Sequence, residues 1–151
     1  MALALFDTNL LVDLSNGMPE AVTEIGYYSD RAISSISYME FMTGARSQLL
    51  RGKIQTWRFV ELNKLANGFL IIPFDAVIGD ETVIVRSDSL VSSRKSIKLP
   101  DAIIIATAKV TGRRLVSRDT RGFAGFDVRV PYQIDPGGRV FNVSAPPSYC
   151  P

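Results

Sequence analysis

The sequence contains no histidine. That absence removes the Ser–His triad, the His general base and the His zinc ligand. Cysteine is nearly absent too: there is one, Cys150, beside the last residue. A disulfide framework, a CxxC redox pair and a cysteine metal site are therefore excluded. No apolar run approaches the roughly 18 residues a membrane span needs. The opening MALALFD has no basic segment of the kind that starts a signal peptide. The chain reads as a soluble, cytoplasmic protein without a membrane partner. It has no GxxxxGKS or GxxxxGKT stretch, and its first apolar run leads into Asp-Thr-Asn instead of GxGxxG. A P-loop NTPase and a Rossmann enzyme are thereby disfavoured. Acid–base or metal chemistry must come mainly from Asp and Glu.

What is present suits one folded domain. At roughly 100–200 residues per domain, 151 residues make one. Hydrophobic residues at 46% and charged residues at 21% are ordinary for a globular chain and argue against wholesale disorder. The net charge of +2 conceals an uneven distribution. Residues 1–93 hold 7 basic and 11 acidic side chains, whereas residues 94–151 hold 10 basic and 4 acidic. A basic half can steer a polyanion toward the molecule, although the same residues serve equally well as a solvated surface.

Apolar patterning alternates strand and helix. Strands are expected at Ala2–Phe6, Arg31–Ile36, Phe69–Phe74, Arg114–Ser117 and Asp127–Val130. Helices are expected at Leu10–Ser15, Pro19 to about Tyr28, Tyr38–Leu50, Ile54–Ala66, Ala76–Ser92 and Pro100–Val110. Ser37 and Asp75 suit N-caps, Pro100 a first helical position, and Asn16-Gly17 and Asn67-Gly68 helix stops. Strands separated by helices imply an α/β fold: a mostly parallel central sheet of about five strands with helices on both faces. Such sheets bind ligands at the carboxyl ends of their strands.

Four acids fall near those ends. Asp7 follows Leu3-Ala4-Leu5-Phe6, and Asp119 follows Arg114-Leu115-Val116-Ser117. Either could simply cap a helix or close a turn. Asp101 opens a helix that is apolar nearly all round, on the face of Ile104, Ile105 and Ala108. There it suits the helix dipole, yet a carboxylate on a core face needs a partner or a cation. Glu40 lies opposite the apolar face of Tyr38, Phe41, Met42, Ala45 and Leu49, so pattern alone sends it to solvent. It joins a cleft only if that face borders the strand ends, where Gly44 would permit close approach. Two carboxylates ~5 Å apart repel by roughly 3 kcal/mol at an effective dielectric near 20. Four converging acids must bind a cation or take up protons. Oxygen ligands favour Mg²⁺ or Mn²⁺ over zinc.

LFDTNLLVD at 5–13, ISSISYMEFMTG at 33–44, LPDAIIIATA at 99–108 and LVSRDTRGF at 115–123 together resemble a PIN domain, of the VapC toxin type found in bacterial toxin–antitoxin pairs. The resemblance covers about residues 3–130. It implies a PIN-like nuclease domain over residues 1–133; the Pro- and Gly-rich stretch over 134–151 lies outside the resemblance and by composition reads as a loose or docked tail. The resemblance implies a Mg²⁺- or Mn²⁺-dependent ribonuclease whose acidic site is Asp7, Glu40, Asp101 and Asp119, positioned by Asn9 and Ser117. It also implies a homodimer and a cognate antitoxin that blocks the site. Family members often carry a further acid or Asn where this chain has Arg121 and Gly122, which leaves one or two metals open. Ser117 keeps the hydroxyl of the frequent Thr.

On this reading Asp7, Asp101 and Asp119 bind the ion directly or through water, and Glu40 is a ligand or orients water. Metal-assisted hydrolysis replaces the missing histidine base and leaves 5′-phosphate and 3′-hydroxyl ends. Arg94, Lys95, Lys98, Arg118 and Arg121 are candidate RNA contacts; for Arg118 and Arg121 charge balance beside the acids is the competing role. Two alternatives stay open. One is a phosphoryl-transfer hydrolase with Asp7 as nucleophile, resembling haloacid-dehalogenase-like enzymes, although Asn9 stands where their second Asp belongs. The other is a catalytically silent RNA- or partner-binding module. Tyr27, Tyr28, Phe41, Trp57 and Phe59 are expected in the core, or in part on a dimer face or antitoxin groove.

Overall fold

The computed structural model describes residues 3–92, 95–123 and 125–147. Ala2, expected to open the first strand, Arg94 among the RNA contacts and the lone Cys150 lie outside the described residues. Five strands form one parallel sheet: β1 (Leu3–Phe6), β2 (Asp30–Ser34), β3 (Leu70–Ile72), β4 (Arg114–Val116) and β5 (Val128–Arg129), in the order β3-β2-β1-β4-β5. Six helices connect them: α1 (Thr8–Ser15), α2 (Pro19–Tyr27), α3 (Ser35–Leu50), α4 (Thr56–Asn67), α5 (Ala76–Val91) and α6 (Leu99–Thr111).

The central strand explains the layering. Ala4, Leu5 and Phe6 are all fully buried. Successive side chains alternate across a strand, so Ala4 and Phe6 enter one core with Leu10, Leu11, Ile25 and Phe41, while Leu5 enters another with Val85, Ile104 and Ile105. A strand that is apolar at every position can exist only between two helical layers. The registers Leu3↔Asp30 and Phe6↔Val116 place β2 and β4 on either side of β1. From β1 the chain winds outward through β2 and β3, then returns to β1's other edge as β4. Strand order therefore reverses at β1/β4, the topological switch point where an open α/β sheet leaves a crevice.

Four expected helix starts move, those at Ile54 and Pro100 to Thr56 and Leu99. The helix after β2 begins at Ser35, three residues before Tyr38, because Ser34 caps it: its Oγ accepts from the Ser37 backbone N–H at 3.0 Å. Ser37 is itself helical and buried. The helix after β1 begins at Thr8 instead of Leu10, capped by Asp7. Pro100 is the second residue of α6, where its missing N–H still costs nothing. Asp75 caps α5 as expected, accepting from Ile78 N–H at 2.8 Å.

Trp57 departs from the expected core. Tyr28 and Phe41 are buried, but Trp57 is 62% exposed. The inward face of α4 is Phe59, Leu62, Leu65 and Ala66, and Trp57 falls outside that helical set. Beyond β5, the chain forms an antiparallel pair, β6 (Gln133–Ile134) with β7 (Val140–Phe141). The pairing Gln133↔Phe141 straddles the position expected to divide domain from tail. Residues 142–147 then dock: Ser144 N–H donates to Pro131 O at 2.9 Å, and the Arg129 guanidinium holds Glu24 and the carbonyls of Ser144 and Ala145.

Candidate active site

The sheet ladder itself delivers the first site residues. Asp7 N–H donates to Val116 O at 3.0 Å and Ser117 N–H to Arg129 O at 3.0 Å, so Asp7 and Ser117 stand side by side just past the carboxyl ends of β1 and β4. Ser117 Oγ donates to Asp7 Oδ2 at 2.8 Å. Asn9 Nδ2 reaches both Ser117 Oγ at 3.0 Å and Asp7 Oδ2 at 3.2 Å. Thr8 N–H donates to Asp7 Oδ1 at 2.8 Å. Asp7 therefore caps α1, the role expected as an alternative, and the same carboxylate stands among the candidate site residues.

Glu40 reaches the same place from α3. It is exposed, and its Oε2 accepts from Thr8 Oγ1 at 2.6 Å, which brings its helix face to the end of β1. Gly44 contributes no close approach: a Cβ there would meet nothing within 4 Å. Asp101 lies in the first turn of α6. Asp119 follows β4, with Oδ1 accepting from the backbone N–H of Arg121 at 2.8 Å and of Gly122 at 3.3 Å. A Cβ at Gly122 would stand 2.8 Å from Asp119 Oδ2 and 3.1 Å from Asp101 Oδ2. The two carboxylates therefore flank one small gap that the glycine keeps open.

Electrostatics ties the four together. Burial pushes Asp7 from 3.8 up to about 6, and the charges of Glu40 and Asp101 add to the rise against the Ser117 and Thr8 hydrogen bonds. Burial, then Asp119 and Glu40, raise Asp101, while Lys98 opposes. Among the described residues no three acids already gather tightly enough to enclose an ion by themselves. The donor chemistry nevertheless fits a hard cation: every site donor is oxygen, Asp101 and Asp119 share a gap, and Mg²⁺ keeps several waters while taking only one or two carboxylates.

The expected cations divide. Lys95, Lys98 and Arg121 are exposed, and Lys98 is near enough to Asp101 to influence its ionisation. Arg118 is engaged elsewhere: its guanidinium grips Asp13 with Nε at 2.7 Å and Nη2 at 3.3 Å. Three participants escaped sequence reading. Thr8 holds Glu40, and Asp13 and Tyr132 sit behind Arg118. Asp13, four residues after Asn9 on one helix, carried a faint signal as an acid in an otherwise apolar stretch; Tyr132 carried none.

The PIN domain family model matches residues 4–128. The chain belongs to the PIN domain family. No curated protein matches it by sequence. Among solved structures, this PIN domain is similar to a toxin–antitoxin complex from Klebsiella pneumoniae, with 35% identity and a TM-score of 0.72 over 87% of this chain and 99% of that one. FitAcB from Neisseria gonorrhoeae (24% identity, TM-score 0.67, 84% and 95% covered) and DNA-bound VapBC from Salmonella typhimurium (20%, 0.71, 85% and 96%) share the fold.

Proposed function

We propose that this PIN domain is a Mg²⁺- or Mn²⁺-dependent endoribonuclease, the toxin of a cytoplasmic toxin–antitoxin pair, acting as a homodimer and silenced by a cognate antitoxin. The reading is supported by Asp7 at the β1/β4 switch point, Glu40 linked to it through Thr8, and Asp119 facing Asp101 across the gap at Gly122, with Asp7 and Asp101 both biased toward protonation by burial and by neighbouring acids. A pocket that disfavours its own charges is suited to a cation. The antitoxin partner is supported by the 35% identical relative, a toxin–antitoxin complex.

Asp7, Asp101 and Asp119 would hold the ion directly or through water, with Glu40 as a further ligand or an orienter of water. A bound Mg²⁺ or Mn²⁺ supplies a lowered pKa for water and draws charge from the scissile phosphate. Ser117 and Asn9 fix the Asp7 carboxylate, and Thr8 fixes Glu40, the exposed acid able to take a proton from an attacking water. Lys95, Lys98 and Arg121 offer the phosphate backbone salt-sensitive contacts with little sequence choice, and Arg94 joins them on sequence grounds. RNA selection then rests on shape and single-stranded loops. The Asp7-nucleophile alternative gains nothing from position 9, because the Asn9 amide is bonded inward to Ser117 and Asp7.

The test is cleavage of pooled cellular RNA with Mg²⁺, with EDTA, and with Asp7→Asn or Asp101→Asn. EDTA and either variant should reduce cleavage by on the order of 100-fold or more, and products should carry 5′-phosphates. Metal-independent cleavage, 2′,3′-cyclic phosphates, or full activity in both variants would overturn the proposal. RNA binding without cleavage would mark the silent module instead.

A further inference from the structure

Asp13 is a charged residue only 3% exposed, on the helix that also supplies Asn9 and is capped by Asp7. A buried carboxylate is tolerated only when its lone pairs are taken. Both partners of Asp13 come from far along the chain. Arg118, 105 residues on, donates Nε to Oδ2 at 2.7 Å and Nη2 to Oδ1 at 3.3 Å. Tyr132, 119 residues on and fully buried, donates its hydroxyl to Oδ2 at 2.8 Å.

Arg118 sits between two site residues, Ser117 and Asp119. Its own backbone N–H donates to Asn9 Oδ1 at 3.3 Å, and the Asp119 N–H donates to Ser117 Oγ at 3.0 Å. The 117–119 segment is therefore gripped twice: through the polar group of Asp7, Asn9 and Ser117 on one side, and through the guanidinium of Arg118 on the other. Without the second grip, Ser117 stays tied to Asp7, Asn9 and Arg129, but the links onward are a 3.3 Å bond from the Arg118 N–H to Asn9 and a single 3.0 Å bond from the Asp119 N–H to Ser117, so Asp119 is freer to swing away from the gap it shares with Asp101.

We propose that Asp13, with Tyr132 and through Arg118, is a positioning residue that fixes the 117–119 segment and so sets the Asp119 carboxylate opposite Asp101. The proposal rests on the nuclease reading for its consequence, but the clamp itself does not. It also gives the segment after β5 a role in the site, since Tyr132 lies beyond the residues matched by the family.

The experiment uses the full chain, three disrupting variants, Asp13→Asn, Arg118→Gln and Tyr132→Phe, and the conservative Arg118→Lys. Mn²⁺ binding is followed by electron paramagnetic resonance, amide hydrogen exchange is read over residues 117–122, and thermal melting reports folding. Tyr132→Phe removes one hydroxyl and should bind Mn²⁺ roughly 3- to 10-fold more weakly, with Asp13→Asn and Arg118→Gln weaker still. Exchange over 117–122 should accelerate in all three, and Arg118→Lys, keeping the charge without the fork, should recover part of the loss. Variants that melt lower yet bind Mn²⁺ and protect 117–122 like the parent would overturn the proposal, leaving the clamp a stability device. Where Asp13→Asn fails to fold, Tyr132→Phe decides. A parent that binds no Mn²⁺ sinks the nuclease reading, and unchanged exchange in Tyr132→Phe then still overturns the positioning.

Discussion

Asp7 carries a charge that its surroundings disfavour. Its carboxyl sits at about 6 in the fold against 3.8 in the open chain. An acid raised in this way contributes stability that is fully present below about 3.8 and lost as pH climbs through about 6. The difference corresponds to about 3 kcal/mol at neutral pH. In EDTA, Asp7→Asn should therefore gain stability over the parent at pH 8, reduced by about 1 kcal/mol for an imperfect hydrogen-bond match, and show no gain at pH 4. Melting curves across that window check it, and a variant effect that does not change with pH contradicts it. Gly122 gives a second prediction at this scale. Gly122→Ala would put a methyl into the gap between Asp119 and Asp101, so Mn²⁺ affinity and RNA cleavage should fall together while the melting temperature changes little. Asp7, Asp101 and Asp119 were legible as acids after strands or at a helix start. Asp13 and Tyr132 were not, because a pair 119 residues apart leaves no local pattern.

Among the elements, caps decided what could be read. Asp75 was found because it precedes a long apolar helix with no competing cap nearby. After β2 the run Ser34-Ser35-Ile36-Ser37 offers several hydroxyls, and local pattern cannot choose among them. The choice falls to Ser34, which sits at the strand end with extended backbone and accepts from the Ser37 N–H. Ser34→Ala should cost about 1 kcal/mol of stability. Ser37→Ala should cost less, since Ser37 shares that bond through its backbone and loses only a hydroxyl contact of 3.1 Å to Ser34. Chemical denaturation of the two variants distinguishes them. The five parallel strands were each located to within a few residues; the buried stretches Ala4–Phe6, Ala32–Ser34 and Leu115–Val116 mark the three inner ones, while β3 and β5 at the sheet edges are only partly buried. Their lateral order was not, since β1 meets β4 only through contacts made after folding.

For the whole molecule, the outer face of α5 bears Val77, Ile84 and Val91 at seven-residue intervals, with Val83 and Leu90 beside them, all at least half exposed. An exposed apolar stripe of this kind marks an interaction surface, and we assign it to the second copy in the proposed homodimer. Ile84→Asp should convert the protein to a monomer in sedimentation without lowering its melting temperature at low concentration. A parent that sediments as a monomer at tens of micromolar would remove the homodimer from the proposal.

The reversal of strand order at β1 also has a consequence for synthesis. The Asp7 carboxylate is bonded to Ser117, 110 residues later, and β1 acquires its second neighbour only when β4 pairs with it. A growing polypeptide folds from its amino-terminal side as it leaves the ribosome. Asp7 and Glu40 emerge early, but they face no Asp101 and no Asp119 until the chain through residue 119 has emerged. In the proposed nuclease, the acidic site would stay incomplete, and the nascent chain inactive, until the polypeptide through Asp119 has left the ribosome.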